Sequence, residues 1–364
     1  MNARGVIVFL GLSVVLTGCA LGSGGKSLPP GEALTKPERL QAIRRAEVWS
    51  PTDIPALDLK AGPVAKGGFS PDKWTTCEYK EKKLSGKSPK FTCETEPGHE
   101  VKVKYGPRNG EVIGEVLSSR LFWALGFPAD RMYPVRVRCH GCPKDPAAGP
   151  EKGGDVVEFD PAAIEQKLPG RPMETRQDSG WKWSELDLIG PEAGAGARGQ
   201  RDALKLLAAV LQHTDSKATN QRVLCPKGEE VGKTGCRRPV LMVNDLGLTF
   251  ARANLFNRHM SSSVNFDRWS STPVWKDSGQ CVAKLNKSCT GSLENPRISE
   301  EGRAFLAGLL VQLSDAQLRD LFEGARVERR PRDPGKGGPS ASVDEWVTVF
   351  KRKRAEIVDH RCPL

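Results

Sequence analysis

The stretch from Leu211 to Gly247 limits the possible folds of this 364-residue chain more than any other. A helix-like run, Arg201 to Gln212, feeds into His213-Thr214-Asp215-Ser216-Lys217-Ala218-Thr219-Asn220. A strand-like Arg222-Val223-Leu224-Cys225 follows, then a polar loop closed by Cys236, then Val240-Leu241-Met242-Val243-Asn244-Asp245-Leu246-Gly247. The order is helix, polar loop, hairpin, acidic loop. Asp215, Lys217, Asn220 and Asp245 are therefore expected to converge at one end of the hairpin. Two carboxylates, an amide and an ammonium at one spot suit a metal-bound phosphate and a hydroxyl nucleophile. The plainer alternative is a Ser/Thr/Asp/Asn-rich loop whose side chains satisfy local backbone groups.

The pattern resembles the catalytic core of the protein-kinase-like superfamily. The loop H-R-D-L-K-x-x-N compares with His213, Thr214, Asp215, Ser216, Lys217 and Asn220, and D-F-G with Asp245-Leu246-Gly247. The resemblance implies catalytic roles for Asp215, as base for an acceptor hydroxyl, and Lys217, on the transferred phosphate. It implies Asn220 and Asp245 as ligands of Mg²⁺, with ATP as the nucleotide. Thr214 stands where Arg is usual, and the hairpin carries an insert that lengthens the Asn-to-Asp spacing.

Upstream, Trp74 to Lys83 and Pro89 to Glu94 read as strands around a Ser85-Gly86-Lys87 turn, and Glu100 to Tyr105 alternates as a third. Val101-Lys102-Val103-Lys104 resembles V-A-I-K, which puts the nucleotide-binding lysine at Lys104, with Lys102 as runner-up. By itself, the same stretch reads as an edge strand with two solvated lysines. A helix from Glu111 to Leu125, ended by Gly126, should bury Val116, Leu117, Leu121, Ala124 and Leu125. In the resemblance it supplies the acid that pairs with the lysine: Glu115, or else Glu111. Arg131 to Arg138 reads as a further strand running to the hinge between two lobes. No G-x-G-x-x-G is present, so the turn from Leu84 to Lys90, with its single glycine, is left to cover the phosphates. Gly24-Gly-Lys-Ser27 and Ser85-Gly-Lys-Ser88 lack the earlier glycine of a Walker A loop.

The N-terminus carries a separate signal. Arg4 precedes an apolar run, Gly5 to Leu16, that is too short to span a bilayer. Leu16-Thr17-Gly18-Cys19 then resembles a bacterial lipobox, which implies a signal peptide over 1–18 and acylation of Cys19. Residues 19–36 read as a flexible lipidated tether. The implied site is the bacterial cell envelope, membrane-bound through the lipid anchor, and Ala20 favours the outer membrane.

Nine cysteines besides Cys19 fit an oxidising compartment. Locality suggests three pairs: Cys77–Cys93, Cys225–Cys236 and Cys281–Cys289, each expected to add about 2–4 kcal/mol. Cys139, Cys142 and Cys362 are left without assigned partners, and Cys139-His-Gly-Cys142 reads as a structural bridge rather than a metal or redox motif.

The expected fold is α+β: a small antiparallel-sheet N-lobe over 37–138 with its preceding segment, and a mainly helical C-lobe over 139–364 with an insert at 139–199. Trp181 and Trp183 in that insert are expected to be packing anchors. Capping boxes at Ser314 and Ser342 open two C-terminal helices, and Arg329 to Ser340 reads as a mobile loop. The net charge of +11 is spread along the chain, with one dense run at Lys351–Arg354 expected to be a solvated helix face. No aromatic-interleaved nucleic-acid motif accompanies it, so no nucleic-acid partner is expected. Two functions follow from the resemblance: an ATP/Mg²⁺-dependent phosphotransferase acting on a protein, lipid or glycan hydroxyl, or an inactive pseudokinase-like binding or scaffold lipoprotein of the envelope.

Overall fold

Short runs of alternating apolar and polar residues build the first half of the molecule. The computed structural model describes residues 33–63, 68–71, 73–84, 86, 88–250, 264–286 and 291–363. The expected signal peptide, Cys19, most of the tether, and Cys289 lie outside them.

Helix α1 (Lys36–Arg44) is opened by Thr35, whose hydroxyl accepts from the Glu38 N–H while Glu38 caps back. Five strands then close a small barrel: β1 (Trp74–Lys80), β2 (Lys90–Glu96), β3 (His99–Tyr105), β4 (Arg131–His140) and β5 (Val156–Gln166), in the order β1-β2-β3-β5-β4. All pairs are antiparallel except β1 with β4, which is parallel and closes the ring. Alternation sends Phe91, Cys93, Val101, Val103, Tyr105, Val135, Val137 and Ile164 into the barrel. The Cys77–Cys93 and Cys139–Cys142 disulfides sit in that interior, with Cys93 Sγ 3.7 Å from Cys139 Sγ.

Helix α2 (Glu111–Ala124) lies between β3 and β4 in sequence and is buried on nearly every side. Both the expected core face and the opposite stripe, including Phe122, are enclosed. Arg120 is enclosed too, because its guanidinium donates to the carbonyls of Leu59, Lys60 and Ala61.

Strand β5 corrects the expected boundary at residue 138. It lies in the stretch assigned to an insert, yet it pairs with both β3 and β4 and is integral to the barrel. It also displaces β4 as the strand that leaves the barrel: from Gln166 the chain passes directly to β6 (Gly170–Pro172). At that crossing the Leu168 N–H donates to the buried Asp130 carboxylate at 2.8 Å.

Helix α3 (Ala197–Val210) leads to β7 (Gln221–Pro226), the small hairpin β8 (Glu230–Val231) and β9 (Gly235–Cys236), and β10 (Val240–Val243). Strands β10, β7 and β6 form one sheet, and Cys225–Cys236 ties its loop. Trp181 pins this hairpin, its indole N–H donating to the Arg222 and Met242 carbonyls. The remainder comprises α4 (Phe266–Ser271), the pair β11 (Trp275–Asp277) and β12 (Val282–Ala283), α5 (Glu300–Leu310), α6 (Asp315–Gly324), the pair β13 (Pro331–Asp333) and β14 (Gly337–Ser340), and α7 (Val343–Val358). Ser314 and Ser342 both close capping boxes. Trp346 on α7 is the hub of an aromatic cluster, with Phe266, Trp269, Phe322 and Phe250 at centroid distances of 5.0–5.7 Å.

Three expectations are corrected here. Cys281 bonds Cys362, not Cys289, because the end of α7 brings the C-terminal segment against β12. Residues 329–340 form the β13–β14 hairpin where a loop was expected. The basic run on α7 is only in part a solvated face: Arg352 is exposed and Lys351 pairs with Asp315 at the surface, but Lys353 is buried and donates to the Thr272 carbonyl, while Arg354 reaches the Leu313 carbonyl. Among the described residues no helix is long and apolar enough to cross a membrane.

Candidate active site

Lys104 occupies the last turn of alternation in β3, on the face directed away from the barrel interior. That face is covered by α2, so the lysine is almost fully buried. Its ammonium is 2.7 Å from Glu111 Oε2, 2.7 Å from Glu115 Oε1 and 4.0 Å from Asp245 Oδ1. Lys102, the runner-up, instead pairs with Glu165 on β5. The two glutamates weighed for the helix thus share the same lysine.

The second group is built by the loop after α3. Asn220 donates its side-chain amide to the Asp215 carbonyl at 2.6 Å, which curls the loop. The Asn220 carbonyl accepts from the N–H groups of Asn244 and Asp245, at 2.9 and 3.2 Å, so the start of β7 and the end of β10 meet there. Lys217 Nζ lies 2.9 Å from Asp215 Oδ2, while Asp215 Oδ1 is buried without a protein partner. Asp245 accepts the Gly247 N–H at 3.1 Å. Gly247 has no room for a side chain: a Cβ there would lie 2.8 Å from Glu111 Cγ. The glycine therefore lets the acidic loop close onto α2 and onto Lys104.

These placements join residues far apart in sequence. Lys104, Glu111, Glu115 and Asp245 form one cluster, and Asp215, Lys217 and Asn220 form a second one tied to it through the backbone of Asn220. His213 stands apart. Its ring is fully buried against Trp183, and burial pushes it down to about 4, so it is neutral at pH 7 and serves packing. Thr214 and Ser216 are buried as well; the Ser216 hydroxyl accepts from the Leu293 N–H.

Charge balance follows from the geometry. Three carboxylates surround one ammonium. Burial works against the Lys104 charge, but Glu111, Glu115 and Asp245 outweigh it and hold the lysine protonated well above its usual range. Burial, only partly opposed by Lys104, raises Glu115, and the Asp245 and Glu111 charges raise it further. For Asp245 burial is opposed by Lys104, Lys102 and the Gly247 N–H, which together keep it ionised far below the ordinary carboxylate range. Asp245, an ionised and 39% exposed carboxylate, and Asn220, whose side chain carries an amide oxygen, offer hard-oxygen donors of the kind Mg²⁺ takes. The chemistry of these side chains is compatible with such a cation.

Two further residues were not singled out from the sequence. Lys90 opens β2 directly opposite Lys104. Glu165, on the unrecognised β5, holds Lys102. The Pro97-Gly98 turn was the available signal for Lys90, because counting back from it sets the β2–β3 register.

No family model matches the sequence, and no curated protein is significantly similar to it. Among solved structures, the chain is similar to the crystal structure of a Helicobacter pylori proinflammatory kinase, CtkA, at a TM-score of 0.42 and 9% identity. The match covers 78% of this chain and 94% of that one.

Proposed function

We propose that this chain is a nucleotide-dependent phosphotransferase with a protein-kinase-like two-lobed fold. The observation that carries the reading is the Lys104 ammonium held between Glu111 and Glu115 on one helix and facing Asp245 from a distant loop. An ion cluster buried this deeply is costly to assemble for stability alone. It is economical when lysine, acid and metal-binding carboxylate must be kept in register for a ligand.

In this reading Lys104 binds phosphate oxygens and Glu115, with Glu111, fixes its position. Asp245 and Asn220 would hold Mg²⁺, which supplies charge neutralisation on the phosphates when bound. Asp215 takes the proton of the acceptor hydroxyl, and Lys217, 2.9 Å away, is placed to offset charge beside it. The acceptor class is a hydroxyl on a protein, lipid or glycan. We also propose that the protein is exported and lipid-anchored at Cys19. The Leu16–Cys19 motif supports this, as do the eight cysteines held in four disulfides.

A second reading is a pseudokinase-like binding module, favoured by the single glycine in the Leu84–Lys90 turn. One experiment separates the two. The thermal midpoint of the oxidised protein is measured with and without Mg²⁺-ATP and Mg²⁺-GTP, alongside phosphate transfer to envelope extracts. A phosphotransferase gives a Mg²⁺-dependent rise that Asp245→Ala abolishes, and transfer that Asp215→Asn removes while nucleotide binding persists. Binding without transfer selects the module. No rise at millimolar nucleotide rejects both nucleotide readings.

A further inference from the structure

Among the described residues, Lys90 is the one cation on the outer face of β2 and β3 with no carboxylate within ion-pair distance. Lys104 has Glu111, Glu115 and Asp245, and Lys102 has Glu165. Lys90 sits directly across the strand pair from Lys104, so both side chains rise from the same face. It is half-buried, and its ammonium donates to the Ser88 hydroxyl at 3.3 Å. Among the described residues no carboxylate oxygen lies within ion-pair distance of it. Its surroundings are nevertheless those of the site: it feels the charges of Lys104, Glu111 and Asp245.

Gly86, in the β1–β2 connection, lies beside this ammonium. Gly86 adopts φ +86°, and a Cβ there would lie 2.8 Å from Lys90 Nζ. The positive φ disfavours other residues at position 86, and the contact shows only that the flexible end of Lys90 reaches this glycine. Gly86 and Ser88 thus flank a cation, where a glycine-rich loop would instead offer several backbone N–H groups to an anion. A half-buried ammonium without a counter-charge is unfavourable unless an external anion completes it.

We propose that Lys90 is a phosphate-binding residue: it holds the anionic chain of a nucleoside di- or triphosphate beside Lys104, in place of a glycine-rich loop. This rests on the nucleotide reading of the Lys104 site. It also predicts specificity, since a nucleoside or monophosphate presents too little charge to reach both Lys90 and Lys104.

The test is ligand titration of the thermal midpoint of the full-length oxidised protein with Mg²⁺-ATP, Mg²⁺-ADP, AMP and Mg²⁺-tripolyphosphate. Wild type is compared with Lys90→Met, Lys90→Arg and Asp245→Ala. Lys90→Met is expected to weaken ATP, ADP and tripolyphosphate at least tenfold and to leave AMP within about twofold. Lys90→Arg is expected to keep most of the affinity. The unliganded Lys90→Met protein should unfold at or above the wild-type temperature, because an unpaired charge has been removed. Wild-type ATP affinity in Lys90→Met, with binding lost in Asp245→Ala, would overturn the role of Lys90 and leave the nucleotide site standing. An equal loss of AMP and ATP, or a lowered unliganded midpoint, would make Lys90 structural and also overturn it. If wild type responds to none of the four ligands, the nucleotide reading fails and this proposal with it.

Discussion

A lysine with less than a twentieth of its surface exposed is informative because of what must surround it. Lys104 is 2% exposed and meets three carboxylates, so its removal leaves Glu111, Glu115 and Asp245 facing one another without a cation. Lys104→Met is expected to cost about 3–5 kcal/mol in urea unfolding at pH 7, as for other broken buried ion pairs. Asp130 tests the opposite sign. Burial, with the Glu165 charge adding and the Leu168 N–H, Arg222 and Lys167 opposing, pushes its carboxyl up to about 7. The folded protein therefore keeps that proton over a pH range in which the unfolded chain has lost it. Its contribution is present below about pH 4 and is lost as the pH rises toward 7. Asp130→Asn can still accept the Leu168 N–H, so it should match wild type in acid and become more stable as the pH rises, by up to about 4 kcal/mol at pH 8. Parallel pH profiles for the two proteins would refute this. At this scale several members of the candidate clusters were legible: Lys104, Asp215, Asn220 and Asp245 were each marked by a neighbour pattern. Asp130 and Glu165 were not, because nothing local distinguishes them from ordinary surface charges, and Lys90 was marked only through the register that the Pro97-Gly98 turn sets.

Elements were legible where their ends carry a chemical signal. The hydroxyls of Ser314 and Ser342 accept the N–H three residues on, and Gln317 and Glu345 cap back. Ser342→Ala should lower stability by about 1 kcal/mol, read as a shift in the urea midpoint at unchanged slope. Strand β5 was hidden for the converse reason. Asp160-Pro161 interrupts its alternation, and Gly/Pro-rich segments flank it, so its membership in the barrel depends on partners about 20 to 60 residues upstream in β4 and β3. The basic run on α7 matches a solvated face only at Lys351 and Arg352, because helical spacing alone does not tell a solvated lysine from one that donates to a carbonyl of another element. Lys353 does the latter.

For the molecule as a whole, the Cys281–Cys362 bridge ties β12 to the chain end across 81 residues. Replacing both cysteines by serine is expected to lower stability by about 2–5 kcal/mol under oxidising conditions, mainly by freeing the unfolded chain. Equal midpoints for the two proteins would show that α7 docks through the Trp346 cluster alone. Local pairing suggested Cys77–Cys93 and Cys225–Cys236, where a hairpin keeps the partners close in sequence. It could not suggest Cys362, whose partner is close only after α5, α6 and α7 have packed. The same division holds for the function. The sequence by itself determined the helix–loop–hairpin frame, the chemical types of the site residues and most capped helices, since these depend on neighbours within a few turns. Only the tertiary structure decided that Glu111 and Glu115 share one lysine, that β5 belongs to the barrel, and that Lys90 stands opposite Lys104 without a carboxylate. Those outcomes depend on register and burial between distant segments, which no local pattern encodes.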